Sequence, residues 1–243
     1  MKTIIVIPAR MASTRFPNKP MALIRGKPMI QRVWEQAKLA NSDSLIVACC
    51  DKEVFNFIKS IGGEAFMTSP THPSGTDRVF EVVKNFPNIN SFDSIINLQG
   101  DMPLINPNDI IKVNNSLLQG FDIGTLVTDI SADEECNENI TKVNINWINK
   151  KDFGEATDFY KISKDIIKNI YHHVGIYSFT YQSLKNFITL PPSSNELLYK
   201  LEQLRAIDAK MKIGASFVKN VALSVDTKED LIKVESILKF KNE

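Results

Sequence analysis

The chain has 243 residues, of which 43% are hydrophobic and 23% charged, and its formal net charge is +1. That is enough apolar material for the core of a large α/β domain, and too little charge imbalance for a disordered chain. It also provides no basic field for nucleic acid, so any phosphate binding must come from locally clustered cations.

Thr3–Ile7 is a short β-branched run, the pattern of a strand covered on both faces. It ends abruptly at Pro8-Ala9-Arg10, and the loop that follows holds Ser13, Thr14, Arg15, Pro17, Lys19 and Pro20. Asn18 is one of the few non-glycine residues that tolerate a left-handed turn. Met29, Ile30, Val33, Trp34 and Ala37 then recur at helical spacing, and Ser44–Ala48 reads as the next strand. Val54, Phe55, Ile58 and Ile61 mark a second helix. A polar turn, Pro73-Ser74-Gly75-Thr76-Asp77-Arg78, enters a third helix marked by Val79, Val82 and Val83, with Ser74 or Thr76 as its cap. Ser94–Leu98 is a strand that runs into Gln99-Gly100-Asp101. A helix is expected over Ile110, Val113 and Leu117, and a strand over Ile123–Val127.

This strand–helix alternation predicts an α/β fold, a mostly parallel twisted sheet with helices on both faces. Polar, irregular text from Ser131 to Asn169 then predicts a smaller inserted lobe or flap at about 130–175 within a single domain of 1–243. Thr141–Ile148 and Val174–Phe179 are strand candidates, the second flanked by His172, His173 and Tyr177. Ser193-x-x-Glu196 is a capping box for one helix through Leu197, Leu201 and Leu204, on which Glu202 and Arg205, three apart, are placed to pair. Ser216–Ser224 reads as a last strand leading to Asp226, and Thr227-x-x-Asp230 as the cap of a final helix over Leu231, Val234 and Leu238.

Cys49, Cys50 and Cys136 form no CxxC pair and leave one cysteine over, which fits a reducing compartment. No leader-like n-region and h-region stands at the start, and Ile4–Ile7 is too short for a membrane span, so a soluble cytoplasmic protein is expected.

In a parallel α/β sheet, ligands sit outside the carboxyl ends of the strands, so a cationic, hydroxyl-rich loop after the first strand predicts a polyanion, most simply a nucleoside triphosphate. The loop is neither GxxxxGK[ST] nor GxGxxG, which removes the common ATPase and dehydrogenase readings. Arg10 and Arg15 suit bidentate contact with phosphate oxygens, and Lys19 acts as a point charge. Asp101 and Asp226, each at the end of an expected strand, are placed to meet around a divalent cation. Mg²⁺ suits such a pair because it takes few carboxylates and completes its shell with water and phosphate. No HExxH, Cys/His spacing or GxSxG elbow offers a rival chemistry.

Several blocks together resemble the 3-deoxy-manno-octulosonate cytidylyltransferase (CMP-Kdo synthetase) family. They are Ile7-Pro8-Ala9-Arg10 through Ser13-Thr14-Arg15-x-Pro17-x-Lys19-Pro20, Gly26-Lys27-Pro28-Met29-Ile30, Ser74-Gly75-Thr76-Asp77-Arg78, Gln99-Gly100-Asp101-x-Pro103, His173-x-Gly175-Ile176-Tyr177, Leu201-Glu202-Gln203-Leu204-Arg205 and Val225-Asp226-Thr227-x-x-Asp230. The resemblance implies a Rossmann-like nucleotidyltransferase that makes CMP-Kdo and pyrophosphate from CTP and Kdo, with Mg²⁺, for lipopolysaccharide biosynthesis. It implies CTP binding by Ala9, Arg10, Ser13, Thr14, Arg15, Lys19, Ser74, Gly75, Thr76 and Arg78. Catalysis would fall to Arg10, Lys19, Asp101 and Asp226, the two aspartates holding the metal. The acid-sugar pocket would use Gln99, Lys161, His173, Tyr177, Glu202 and Gln203. The family is usually dimeric through its less regular lobe, which implies a homodimer.

The chain departs from the family pattern at Asn18, where glycine is usual, and at Met102, where glutamate is usual. Cys49-Cys50-Asp51 stands where the family has Thr-Asp, and Phe159-Tyr160-Lys161 where it has Phe-Ser-Arg followed by Ile-Pro. A lysine for that arginine exchanges a planar fork for a point charge. That exchange leaves open the same chemistry on 8-amino-Kdo or another acid sugar such as sialic acid; a non-catalytic nucleotide-binding module is a separate alternative, against which Asp101 and Asp226 argue because a binder needs no metal pair.

Overall fold

Every residue of β1 (Thr3–Ala9) is buried, as a strand covered on both faces requires. The computed structural model that shows this describes residues 1–12, 15–162, 169–219 and 223–240. The chain divides into two units, residues 1–111 with 222–243, and residues 112–221. The lobe expected at about 130–175 falls inside the second.

In the first unit, β1 is followed by a small antiparallel hairpin of β2 (Leu23–Ile24) and β3 (Lys27–Pro28), then α1 (Met29–Leu39). Helix α1 buries Met29, Ile30, Val33, Trp34 and Ala37, the stripe its spacing predicts. After it come β4 (Ser44–Cys49), α2 (Lys52–Ser60), β5 (Glu64–Met67), α3 (Gly75–Lys84), β6 (Ser94–Asn97) and α4 (Pro107–Lys112). The strands are all parallel, in the order β5-β4-β1-β6. After β1 the chain builds outward on one side through β4 and β5, then crosses to the other side for β6. The strand order therefore reverses between β1 and β6, and their carboxyl ends open the crevice where such sheets bind ligands.

The second unit contains α5 (Asn115–Leu118), β7 (Ile123–Thr128), α6 (Ala132–Glu135), β8 (Lys142–Asn149), β9 (Phe153–Tyr160) and β10 (Ile170–Phe179), followed by α7 (Tyr181–Thr189), α8 (Ser194–Tyr199), α9 (Gln203–Asp208) and β11 (Ile213–Phe217). Its pairing is mixed: β7 runs parallel to β11 and antiparallel to β10, and β9 lies antiparallel between β11 and β8. The start of β10 also pairs with β8, so the five strands close on themselves. The chain then returns to the first unit as α10 (Lys228–Phe240).

Three expectations need correction. The helix predicted over Ile110–Leu117 is two short helices, α4 and α5; the carbonyl of Val113, between them, accepts a bond from Ser178 Oγ at 2.9 Å. The helix predicted through Leu197–Leu204 breaks at Lys200, which adopts a left-handed conformation with φ 55° and separates α8 from α9. The strand predicted at Ser216–Ser224 is β11, which starts earlier and ends at Phe217, while residues 223–226 are not in a strand. Its opening was concealed by Gly214, which reads as a turn. The glycine is needed because a Cβ there would lie 2.8 Å from that of Ser116 on α5. Both predicted late caps form: Ser193 with Glu196, and Thr227 with Asp230, whose carboxylate accepts from the Thr227 N–H at 3.0 Å.

Candidate active site

The crevice of the first unit is a cleft of 280 Å³ lined by Pro8, Ala9 and Arg10 from the end of β1, Ala12, Arg15, Lys19 and Pro20 from the following loop, and Met29. Its opposite wall is Ser74, Gly75 and Arg78 from α3, Gln99, Gly100 and Asp101 after β6, and Asp226 ahead of α10. Ser13 and Thr14 lie outside the described residues.

Packing brings the distant parts together. Asn18 takes the left-handed turn its type allows, with φ 58°, and its N–H bonds the carbonyl of Met11 at 3.1 Å, folding the loop back on itself. Phe16 is buried in a cluster with Ile24, Met29, Val225 and Val234. Val225 is held further by its N–H, which donates to the carbonyl of Asp101 at 2.9 Å. One apolar cluster thus anchors the cationic loop and the residue preceding Asp226. A strand end is not needed to place this aspartate; the irregular segment does so through Val225.

Lys19 Nζ stands 2.7 Å from Asp101 Oδ2 and 3.2 Å from Asp226 Oδ1. Burial works to lower the Lys19 pKa, but the attraction and hydrogen bonds of Asp101 and Asp226 outweigh it, and the ammonium titrates above its ordinary value. Arg15 also reaches Asp226 Oδ1, at 3.1 Å, from a largely exposed position where such a pair contributes little. The two carboxylates are therefore already converged on a single cation.

The wall opposite is stiff. Ser74 Oγ caps α3 through the Asp77 N–H at 3.1 Å, and Arg78 is buried, its Nη1 donating to Thr68 Oγ1 and to the Ser69 carbonyl. Thr76 is not among the lining residues; it lies buried and accepts from Asn97 Nδ2 at 3.2 Å, while Asn97 Oδ1 accepts from Gln99 Nε2 at 3.0 Å. Sequence reasoning passed over Asn97, whose one signal was a polar residue ending an apolar strand. Gly100 is required by a close approach, since a Cβ there would stand 2.9 Å from the Pro8 carbonyl. Gly75 is nearly as confined, with Pro8 Cγ 3.3 Å from the place of a Cβ.

Of the predicted sugar-pocket residues, Gln99 belongs to the first unit, and Lys161, His173, Tyr177, Glu202 and Gln203 to the second. There, the His173 ring meets Phe159 edge-to-face at 5.0 Å and lies tilted against Tyr177 at 5.6 Å, and its Nε2 lies 3.0 Å from Thr125 Oγ1. Burial pushes the His173 pKa down to about 3, so the ring is neutral at physiological pH. Burial first and the charge of Glu202 second push the Tyr177 phenol up. Gln203 is buried at the start of α9. The carbonyl of Lys161 accepts from the ammonium of Lys142 at 2.6 Å. Lys142, itself buried and also bonded to the Asn137 carbonyl, was not anticipated; nothing distinguishes it in sequence from a surface lysine. Arg205 forms a fork with Glu196 of α8 through Nε at 2.7 Å and Nη2 at 2.5 Å, a partner that the i,i+3 spacing did not suggest.

Residues 4–213 match the family described as cytidylyltransferase. The 3-deoxy-manno-octulosonate cytidylyltransferase of Paramagnetospirillum magneticum is 42% identical over 239 residues, covering 97% of each chain. That of Rhodospirillum rubrum is 39% identical, covering 97% of this chain and 95% of the relative. A solved structure of CMP:2-keto-3-deoxy-manno-octonic acid synthetase complexed with CTP matches with a TM-score of 0.88 at 36% identity, covering 99% of this chain and 100% of that one. UDP-glucose pyrophosphorylase complexed with UDP-glucose, at a TM-score of 0.71 and 16% identity, shares the fold. Matched over nearly its whole length at such identity, the chain belongs to the 3-deoxy-manno-octulosonate cytidylyltransferase family.

Proposed function

We propose that the cleft transfers a cytidylyl group from CTP to the anomeric hydroxyl of Kdo, releasing pyrophosphate and forming CMP-Kdo for lipopolysaccharide biosynthesis. The observation that carries this reading is the convergence of Asp101 and Asp226 on one cation beneath the cationic loop, at the point where the strand order reverses.

Arg10, Arg15 and Lys19 grip the triphosphate, with the Ala9 backbone beside them. Ser74, Gly75 and Arg78 form the facing wall of the nucleotide site, backed by Thr76. Gln99, held by Asn97, reaches the cleft from the end of β6 to orient the acceptor sugar. In the second unit His173, Tyr177, Glu202, Gln203 and Lys161 serve the acid sugar. The sugar hydroxyl attacks the α-phosphorus in line with the departing pyrophosphate, and the chain contributes by positioning and charge neutralisation rather than by a covalent intermediate.

Two carboxylate oxygens sharing one ammonium fit the needs of a Mg²⁺ ion, which takes one or two carboxylates and fills its shell with water and phosphate. Asp101 and Asp226 would hold it; when bound, it neutralises charge on the phosphates. Among the described residues no group of three or more acidic, histidine or cysteine ligands gathers, so phosphate and water would complete the shell.

Pyrophosphate release, measured with CTP, UTP and ATP against Kdo, 8-amino-Kdo and sialic acid, tests the reading. Turnover is expected with CTP and Kdo. The altered segment ending at Lys161 makes 8-amino-Kdo the acceptor to compare most closely, and no turnover with any acid sugar would leave only a nucleotide-binding module. Among the described residues no helix is long and apolar enough to cross a membrane, and we place the reaction in the cytoplasm, where CTP is available. Ile162, Leu197 and Leu198 of the second unit are exposed apolar side chains that a second copy would cover, and sedimentation velocity at micromolar concentration is expected to give the mass of a homodimer rather than a monomer.

A further inference from the structure

Asp51 stands at the N-cap of α2, where an aspartate ordinarily turns its carboxylate onto the first amides of its own helix. Here it does not: its side chain makes no capping bond, although its backbone has the extended conformation usual at an N-cap, φ −113° and ψ 127°. Oδ2 accepts from the backbone N–H of Met11 at 2.9 Å and from the Cys50 thiol at 3.3 Å. Met11 directly follows Arg10, and its carbonyl accepts from the Asn18 N–H at 3.1 Å. The parallel pairing of β1 with β4, register Ala9 opposite Cys49, puts the two strand ends side by side, with Met11 and Asp51 each two residues beyond that pair. One carboxylate oxygen therefore ties the neighbouring strand's exit to the start of the loop that carries Arg10, Ala12 and Arg15 into the cleft.

We propose that Asp51 is a positioning residue for the polyanion site: it fixes the path of the loop at Met11 before the nucleotide arrives, so that Arg10 and Arg15 need not be ordered on binding. It touches no substrate and acts only through the Met11 amide. The proposal rests on the reading of the cleft as a triphosphate site, and the Cys50 thiol, donating to the same oxygen, helps fix the carboxylate's orientation.

Asp51→Ser removes the tie to Met11 while keeping a residue type that suits the start of α2. Serine caps a helix as well as aspartate does, but its shorter side chain cannot reach the amide of Met11. Asp51→Asn keeps an acceptor of the right length. The expected result is a CTP KM raised about 10-fold in Asp51→Ser, the loss of one charge-assisted hydrogen bond, with kcat and the sugar KM within about 2-fold and an unchanged melting temperature. Asp51→Asn is expected to recover most of the CTP KM. Affinity for inorganic tripolyphosphate, measured by calorimetry without turnover, is expected to fall by a similar factor in Asp51→Ser. An unchanged CTP KM and tripolyphosphate affinity in Asp51→Ser overturns the proposal, as does an equal rise in the sugar KM. If wild-type protein fails to use CTP while the tripolyphosphate effect persists, the loop role stands and the cytidylyltransferase reading falls.

Discussion

Asp101→Ala and Asp226→Ala are each expected to leave a folded protein that has lost cytidylyl transfer, with kcat reduced about 10³-fold or more. Removing one preorganised charge from a site that stabilises developing charge costs about 10²–10³ in rate, and these two also hold Lys19 in place. The fold survives because both side chains are partly exposed and because the contact joining their segments is made by main chain, Val225 N–H to the Asp101 carbonyl. After either truncation Lys19 keeps the other carboxylate, so no buried cation is left without a counter-charge. Pyrophosphate release with circular dichroism melts checks both halves of the expectation, and a magnesium titration adds a third reading: the residual activity of each variant should need more Mg²⁺ than wild type. Near-normal release by both variants would remove them from the chemistry.

The largest loss of stability is expected from Arg205→Ala. The guanidinium and the Glu196 carboxylate form a two-point ion pair whose side chains are 8% and 13% exposed, and the guanidinium also lies 4.9 Å from the Phe187 ring. Glu196 has a second duty, accepting from the Ser193 N–H at 3.2 Å to complete the cap of α8. Truncating the arginine leaves a nearly buried carboxylate without its counter-charge, which costs about 3–5 kcal/mol. Arg205→Lys should restore only part of this, because an ammonium lacks the planar fork. Arg205→Met combined with Glu196→Gln should cost less than Arg205→Ala alone, since no charge is then stranded. Urea denaturation gives all three values, and a loss below about 1 kcal/mol in Arg205→Ala would show the pair to be dispensable. The helix held this way begins with Gln203, and under the role proposed for that residue weaker binding of the sugar should accompany the lost stability.

How far the sequence could be read depended on how far each structure was determined locally. Strands β1, β4, β6 and β7 announced themselves as β-branched runs because both their faces are covered, leaving no polar alternation to confuse the signal. The caps of α3, α8 and α10 were legible because a capping pair lies within four residues. By contrast, β9 reads Phe-Gly-Glu-Ala-Thr-Asp-Phe-Tyr, with a glycine and two acids, and becomes a strand only through its partners β8 and β11. The breaks at Lys200 and between α4 and α5 escaped notice because the apolar spacing continues across them. In the candidate site, the cationic loop and Asp101 followed from strand position. Asp226 was chosen as a strand end, yet it is placed by tertiary packing of Val225, which no local pattern records. The long-range bonds Asn97 to Thr76 and Asp51 to Met11 were invisible for the same reason.

The first unit is discontinuous in the chain: residues 1–111 form most of it, and residues 222–243 complete it after the whole second unit has been made. During synthesis, Lys19 and Asp101 therefore leave the ribosome long before Asp226, and the apolar cluster around Phe16 waits for Val225 and Val234. Until those residues are made, the loop lacks that anchor and the centre has only one of its two carboxylates. The order of the residues thus puts the completed centre after synthesis of the whole second unit, and a chain that stops within that unit carries Lys19 and Asp101 without Asp226.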